Sequence, residues 1–231
     1  NVPAISGYAD LIAAAAAIVV AAPASAHFDL ARAALAAGRH VFVEKPIALD
    51  IASADALIQL AKTTGAVLQI GHQERYVAEA AGLLSIGKSP VTIDCVRRTA
   101  ACGRCEDVSV VLDLMVHDLD LIRKLTKADI ETVTASGDAH GAKAELTLTN
   151  GAIVTLEASR RAGAPERRMM LVYDDGLIEF DFVNRKAVNT SGAHLNADFD
   201  GEAAPPAFRD PLGYGADAFI DAIRRGGAPA V

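Results

Sequence analysis

Asp113, His117 and Asp120 stand at i, i+4 and i+7 of one apolar segment, a spacing that sets all three on a single helical stripe. Their neighbours include Val111, Leu112, Leu114, Met115 and Val116, so most of the circumference is apolar and buried. An ionisable stripe on such a helix must face water, a partner or a cavity. A carboxylate one turn from an imidazole orients the ring and favours its protonated form, which suits a general base. A plain solvated face, extended by Lys124, has the same spacing. Spacing alone leaves the two readings level.

Glu44-Lys45-Pro46 ends a predicted strand, at the edge where open α/β sheets collect ligands. Pro46 biases Lys45 away from helical backbone, so the amine projects from a turn. A surface Glu–Lys pair would look the same. Gly71-His72-Gln73-Glu74-Arg75-Tyr76 also follows a strand directly. It offers an imidazole and a guanidinium to a substrate, or else Arg75 merely pairs with Glu74. Cys102-x-x-Cys105, with Cys95 nearby, lacks the second cysteine pair or adjacent histidine of a zinc site, so free thiols and no metal are expected. His27, close to a helix start, reads as a local hydrogen-bonding residue.

Short elements must position these groups. Residues 17–22, 40–44 and 66–70 read as buried strands, each a brief apolar run closed by a turn signal. Between them, one helix starts at Ser25 and stops at Gly38, and another is capped by Asp50 and stopped by Gly65. Strand, helix, strand, helix, strand with short loops predicts a parallel sheet with right-handed crossovers. The pattern changes after about residue 80. A helix over 109–125 precedes two predicted hairpins, 144–149 with 152–159 around Asn150-Gly151, and 169–173 with 177–183 around Asp174-Asp175-Gly176. Residues 184–212 read as loop, and a helix over 213–225 closes the chain.

Composition narrows the function classes. At 231 residues with 52 % apolar and 22 % charged side chains, the chain has material for a large core and is not disordered. Acidic residues outnumber basic ones 29 to 22, with no arginine-rich tract, which argues against a nucleic-acid binder. The longest apolar run, 11–24, is shorter than the ~20 residues of a membrane span. Three cysteines suggest a reducing, cytoplasmic setting rather than a disulfide framework.

Taken in order, these segments resemble the Gfo/Idh/MocA family of nicotinamide-dependent oxidoreductases. The likeness rests on residues 17–27 (a strand, then Ala-Pro-x-x-x-His), 33–46 (Ala-Leu-x-x-Gly-x-x-Val-x-x-Glu-Lys-Pro), 71–75, and 113–120 (Asp-x-x-x-His-x-x-Asp). It implies part of a Rossmann-type parallel sheet in residues 1–80. An α+β domain with an open, mostly antiparallel sheet would follow in 81–231, its last helix packing back on the first domain. It implies hydride transfer between NAD or NADP and a hydroxyl of a sugar, cyclitol or other polyol. His117 would be the general base and Asp113 its orienting partner, while Lys45 would contact the reacting hydroxyl and the nicotinamide ribose. Ala22, Pro23 and His27 would line the nicotinamide and its ribose with Glu44 beside them, and Arg75 and Asp120 would lie on the substrate side. Lys45, Asp113 and His117 would converge on one substrate, and the bond before Pro46 would be cis. A homo-oligomer, dimer or tetramer, is expected through the sheet, on the face bearing Leu146, Leu148, Val154 and Leu156.

The family's Gly-x-Gly-x-x-Gly fingerprint does not occur in these residues. By the resemblance, roughly 60 residues, two strand–helix units, precede Asn1 in the complete protein. Two other activities fit the same motifs: redox-assisted hydrolysis or elimination of a glycoside, and non-catalytic binding on a retained fold. The presence of Lys45, Asp113 and His117 together favours catalysis, because a binder has no need of all three.

Overall fold

The computed structural model describes residues 4–100, 107–196, 199, 201 and 204–229. Cys102 and Cys105 lie outside these residues. The chain divides into two compact units, Asn1–His72 with Leu212–Val231, and Gln73–Pro211.

The first unit is built on a parallel sheet of order β1-β2-β3: Ala17–Val20, His40–Val43 and Leu68–Ile70. Its strands are shorter than the apolar runs suggest, because Pro23 and Pro46 turn the chain away soon after β1 and β2. Successive crossovers in one direction along the sheet set α2 (Ala24–Ala36) and α3 (Ile51–Thr64) against one core. There Ala31, Ala34, Leu35, Leu57 and Ala61 bury Ile18, Val20, Val41 and Val43. Ahead of them, α1 (Tyr8–Ala14) is tied to α2 by the Tyr8 hydroxyl, which donates to the Leu30 carbonyl at 2.6 Å. The expected cap of α3 is present, the Asp50 carboxylate accepting from the Ser53 N–H at 2.8 Å, and Gly65 ends the helix at φ 70°. The start of α2 differs from expectation. Pro23, not Ser25, is its N-cap, and its side chain makes no capping hydrogen bond.

The other sheet face is covered from far along the chain. The closing helix, Pro211–Arg225, sets Phe219 against Phe42 at 5.8 Å between ring centroids, with Val67 and Ala222 in the same cluster. The buried Gln69 amide donates to the Gly215 carbonyl at 2.8 Å. Stacking two aromatic rings and satisfying a buried amide holds a helix more than 140 residues downstream in this unit.

The second unit is a mixed seven-stranded sheet. Its strands are β4 (Thr92–Arg98), β5 (Ile130–Gly137), β6 (Gly141–Leu148), β7 (Ile153–Ser159), β8 (Glu166–Tyr173), β9 (Gly176–Asp181) and β10 (Lys186–Asn189). Their order is β10-β9-β8-β4-β7-β6-β5. Only the β4–β7 pair is parallel; the other neighbours are antiparallel. Both expected hairpins form. Gly151 adopts φ 84° in the first turn, and at Gly176 in the second an added Cβ would fall 2.5 Å from the Thr190 carbonyl oxygen. The central strand β4 lies where no element was expected, and 184–212 is not all loop, since it contains β10 and a short helix over Pro206–Arg209.

Helices line one side of this sheet: α4 (Glu74–Ala80), a π-helical turn (Val111–Met115) running into a helix over Val116–Thr126, and a short helix over Pro206–Arg209. Leu114, Met115, Leu121, Ile122 and Phe208 from these elements close the core over Ile93, Leu146, Val154, Leu156 and Met169. This corrects the expected assembly face. Leu146, Leu148, Val154 and Leu156 are at most 3 % exposed within a single chain, so they face the core and not a second copy. The opposite side is charged, with Arg98 paired to Glu157 and Glu166, and Arg168 to Asp94.

Candidate active site

In the first unit the candidate residues gather where the parallel strands end. Ala22 and Pro23 follow β1, Glu44, Lys45 and Pro46 follow β2, and Gly71 follows β3. The Lys45–Pro46 bond is cis, as the resemblance implied. Gly71 leaves room for Glu44, since a Cβ on it would fall 2.6 Å from a Glu44 carboxylate oxygen. Burial raises the Glu44 pKa, opposed by a hydrogen bond from the Lys45 backbone and by the Lys45 and His27 charges. His27 is buried, at 1 % exposure, and its ring joins two turns: Nδ1 lies 2.7 Å from the Pro46 carbonyl and Nε2 2.9 Å from the Ala22 carbonyl. Both nitrogens therefore serve the protein's own loops, and the ring shapes the edge rather than offering a hydrogen bond to a ligand.

These residues fit the nicotinamide end of a dinucleotide. The edge combines small residues at Ala22 and Gly71, an amine at Lys45, and the N-terminus of a 13-residue helix whose N-cap is Pro23 and whose first turn has no acidic residue. Partial positive charge at such a helix end suits a polar, anionic ligand.

In the second unit the stripe is not an uninterrupted α-helix. Asp113 lies in the π turn, whose wider winding changes its relation to His117 from plain i, i+4 spacing. Arg160, from the end of β7, reaches this turn. Its Nε and Nη2 donate to Asp113 Oδ2 at 3.2 and 3.0 Å, and its Nη1 donates to the Val108 carbonyl at 3.0 Å. His117 is 7 % exposed in the first turn of the helix that follows. Arg75 pairs with Asp120 and not with Glu74; its Nε donates to Asp120 Oδ2 at 2.6 Å and its Nη2 to Oδ1.

A cluster that local spacing did not reveal lies beside His117. Arg97 of β4, 1 % exposed, donates to Asp118 at 2.9 and 2.8 Å and to both oxygens of Glu74, at 2.7 Å to Oε1. One signal was available. Ile93, Cys95 and Arg97 fall on the core side by strand alternation, and an arginine there must find carboxylates. Burial pushes the Glu74 pKa up, but the Arg97 charge and hydrogen bonds, with His117 and Arg167, hold it at about 2. Asp118 goes the other way, because its desolvation outweighs the same arginine.

Glu74 therefore gives a testable acid response. Its folded pKa lies below the ordinary 4.5, so its ionisation stabilises the fold above that pH and is lost as pH falls from 4.5 to about 2. Glu74→Gln should weaken the protein at neutral pH and flatten the fall in stability across that window. Denaturant titrations at several pH values check this; parallel curves for the two proteins would remove Glu74 from the acid response.

Comparison with known proteins follows the same division. Residues 1–72 match the oxidoreductase family with an NAD-binding Rossmann fold, and residues 106–179 match the Gfo/Idh/MocA C-terminal domain. The UDP-N-acetylglucosamine 3-dehydrogenase of Acidithiobacillus ferrooxidans is 36 % identical over 224 residues, covering 92 % of this chain and 72 % of that protein. The chain belongs to the Gfo/Idh/MocA family. A solved structure of the same Acidithiobacillus enzyme superposes with a TM-score of 0.84 at 32 % identity, over 98 % of this chain and 76 % of that one. This Gfo/Idh/MocA chain is also 29 % identical over 168 residues to the myo-inositol 2-dehydrogenase of Thermotoga maritima, covering 63 % of itself and half of that relative. No helix among the described residues is long and apolar enough to cross a membrane.

Proposed function

We propose that the protein is an NAD(P)-dependent dehydrogenase that oxidises a secondary hydroxyl of a sugar, with a nucleotide-activated amino sugar favoured over a free cyclitol. The observation that carries this reading is the 36 % identity to a UDP-N-acetylglucosamine 3-dehydrogenase along 92 % of the chain. The inositol dehydrogenase is matched less closely and over less of its length.

Oxidation of a carbinol removes a hydride from carbon and a proton from oxygen. When bound, the nicotinamide cofactor supplies the hydride acceptor. His117 takes the hydroxyl proton, and its burial excludes the water that would compete for the ring. Asp113, held on the π turn by Arg160, supplies a fixed negative charge that favours the imidazolium formed. Lys45 stabilises the alkoxide charge that develops as the proton leaves. Ala22 and Pro23 give the nicotinamide ribose a small-residue surface, and His27 holds their turn. Arg75 and Asp120, locked to each other, act on the substrate side as one unit.

Assembly and setting belong to the same proposal. A homo-oligomer would use the charged side of the seven-stranded sheet, since the apolar side is filled. The buried free thiol of Cys95 suits a reducing, cytoplasmic environment.

The test is turnover by the full-length enzyme, followed at the nicotinamide absorbance. UDP-N-acetylglucosamine, N-acetylglucosamine and myo-inositol would each be tried with NAD and with NADP. The proposal expects the highest kcat/KM with the nucleotide sugar. A kcat/KM higher for myo-inositol would reassign the protein to cyclitols, and glycoside cleavage without net reduction of cofactor would reassign the reaction.

A further inference from the structure

A cavity of about 420 Å³ in the second unit is lined by Arg75, Asp120, Arg123, Lys124 and Lys127. We propose that it holds the diphosphate of a nucleoside-diphosphate sugar, an assignment that rests on the dehydrogenase reading above and names the part of the substrate that this chain grips.

Charge is the first argument. The cavity has four cationic side chains and one carboxylate, and both oxygens of that carboxylate accept from the Arg75 guanidinium. With Arg75 and Asp120 cancelling, three cations face the cavity in a chain whose net charge is −7. A local reversal of sign inside a concave surface concentrates anions there. Guanidinium and ammonium groups are the side chains that grip phosphate oxygens. A neutral cyclitol has no use for three such charges.

Position is the second. His117, Asp120 and Lys124 lie at i, i+3 and i+7 of the helix Val116–Thr126. At the α-helical rise, Lys124 stands on the order of 10 Å beyond His117 along the axis, and Asp120 about half as far. A diphosphate attached through a sugar ring to the reacting carbon reaches across such a distance. The cavity's size also falls within the usual range for small-molecule sites.

Helix electrostatics accounts for only part of the cluster. Arg123 and Lys124 occupy the last turn, where cations complement the helix dipole. Lys127, the C-cap residue, is favoured by the same effect and Arg75 is held by Asp120, but neither accounts for the convergence of all four cations on one cavity.

The experiment uses the full-length enzyme with Lys124→Glu, Lys127→Glu and the double variant, each checked for an unchanged Tm. UDP is the probe, titrated by calorimetry at saturating NAD so that the cofactor site is filled, and UDP-N-acetylglucosamine is the substrate. The proposal expects wild type to bind UDP with an affinity that falls steeply as salt rises. In the double variant, UDP affinity should drop by about 10-fold or more, and KM for the nucleotide sugar should rise far more than kcat falls. UDP binding and nucleotide-sugar KM that are the same in wild type and double variant would overturn it. Turnover of myo-inositol with no UDP binding would overturn the cavity assignment while leaving the protein a dehydrogenase. UDP binding that is lost in the double variant, without turnover of any sugar, would support the cavity and sink the dehydrogenase reading.

Discussion

His117→Ala in the full-length enzyme should lower kcat by ~10²–10⁴-fold, the usual contribution of a positioned base. Cofactor affinity should stay close to wild type, because the residues assigned to the nicotinamide end are Ala22, Pro23, Glu44 and Lys45. Asp113→Asn acts through the same imidazole, so the double variant should be little worse than His117→Ala alone. Arg160→Lys should show a milder loss of the same kind, since lysine keeps the charge but cannot make both contacts to Asp113 and the third to Val108. Steady-state kinetics on the single and double variants settle the assignment. Turnover near wild type in His117→Ala would return the stripe to a structural role.

Arg97→Met should be the most damaging change to stability, costing about 3–5 kcal/mol. The guanidinium is buried between Glu74 and Asp118, whose side chains are 9 % and 5 % exposed. Removing it leaves two carboxylates without their shared cation in a place that water barely reaches. A triple variant that also carries Glu74→Gln and Asp118→Asn should recover much of the loss, because no buried charge then lacks a partner. Urea unfolding of the single and triple variants measures both effects. A loss below about 1 kcal/mol in the single variant would mean that the cluster is hydrated.

Much of this molecule is written in short-range chemistry. The strand–helix alternation before residue 72, the Asp50 cap and the glycines that end helices or turn hairpins depend on neighbours a few residues apart. Local spacing could therefore locate them. The same holds for Lys45 beside Pro46 and for Asp113 and His117 in their motif, which single out candidates without showing what surrounds them.

Other features required the fold. Nothing near Thr92–Arg98 marks it as the strand that joins β7 to β8, because its partners lie 60 to 80 residues downstream. Arg160 and Asp113 are 47 residues apart, and Arg97 meets Glu74 and Asp118 from opposite directions along the chain. The π turn replaces regular winding at Asp113, and residue types alone do not distinguish the two. The alternation of Leu146, Leu148, Val154 and Leu156 correctly marks an apolar face, but only the packing of Leu114, Leu121, Ile122 and Phe208 shows that the chain covers it itself. Sequence by itself determined the strand–helix alternation of the first unit, the two hairpins, the family and the candidate groups, since these depend on backbone preference and spacing. Tertiary structure decided which charges are paired and which face is filled, because those depend on contacts between residues far apart in the chain.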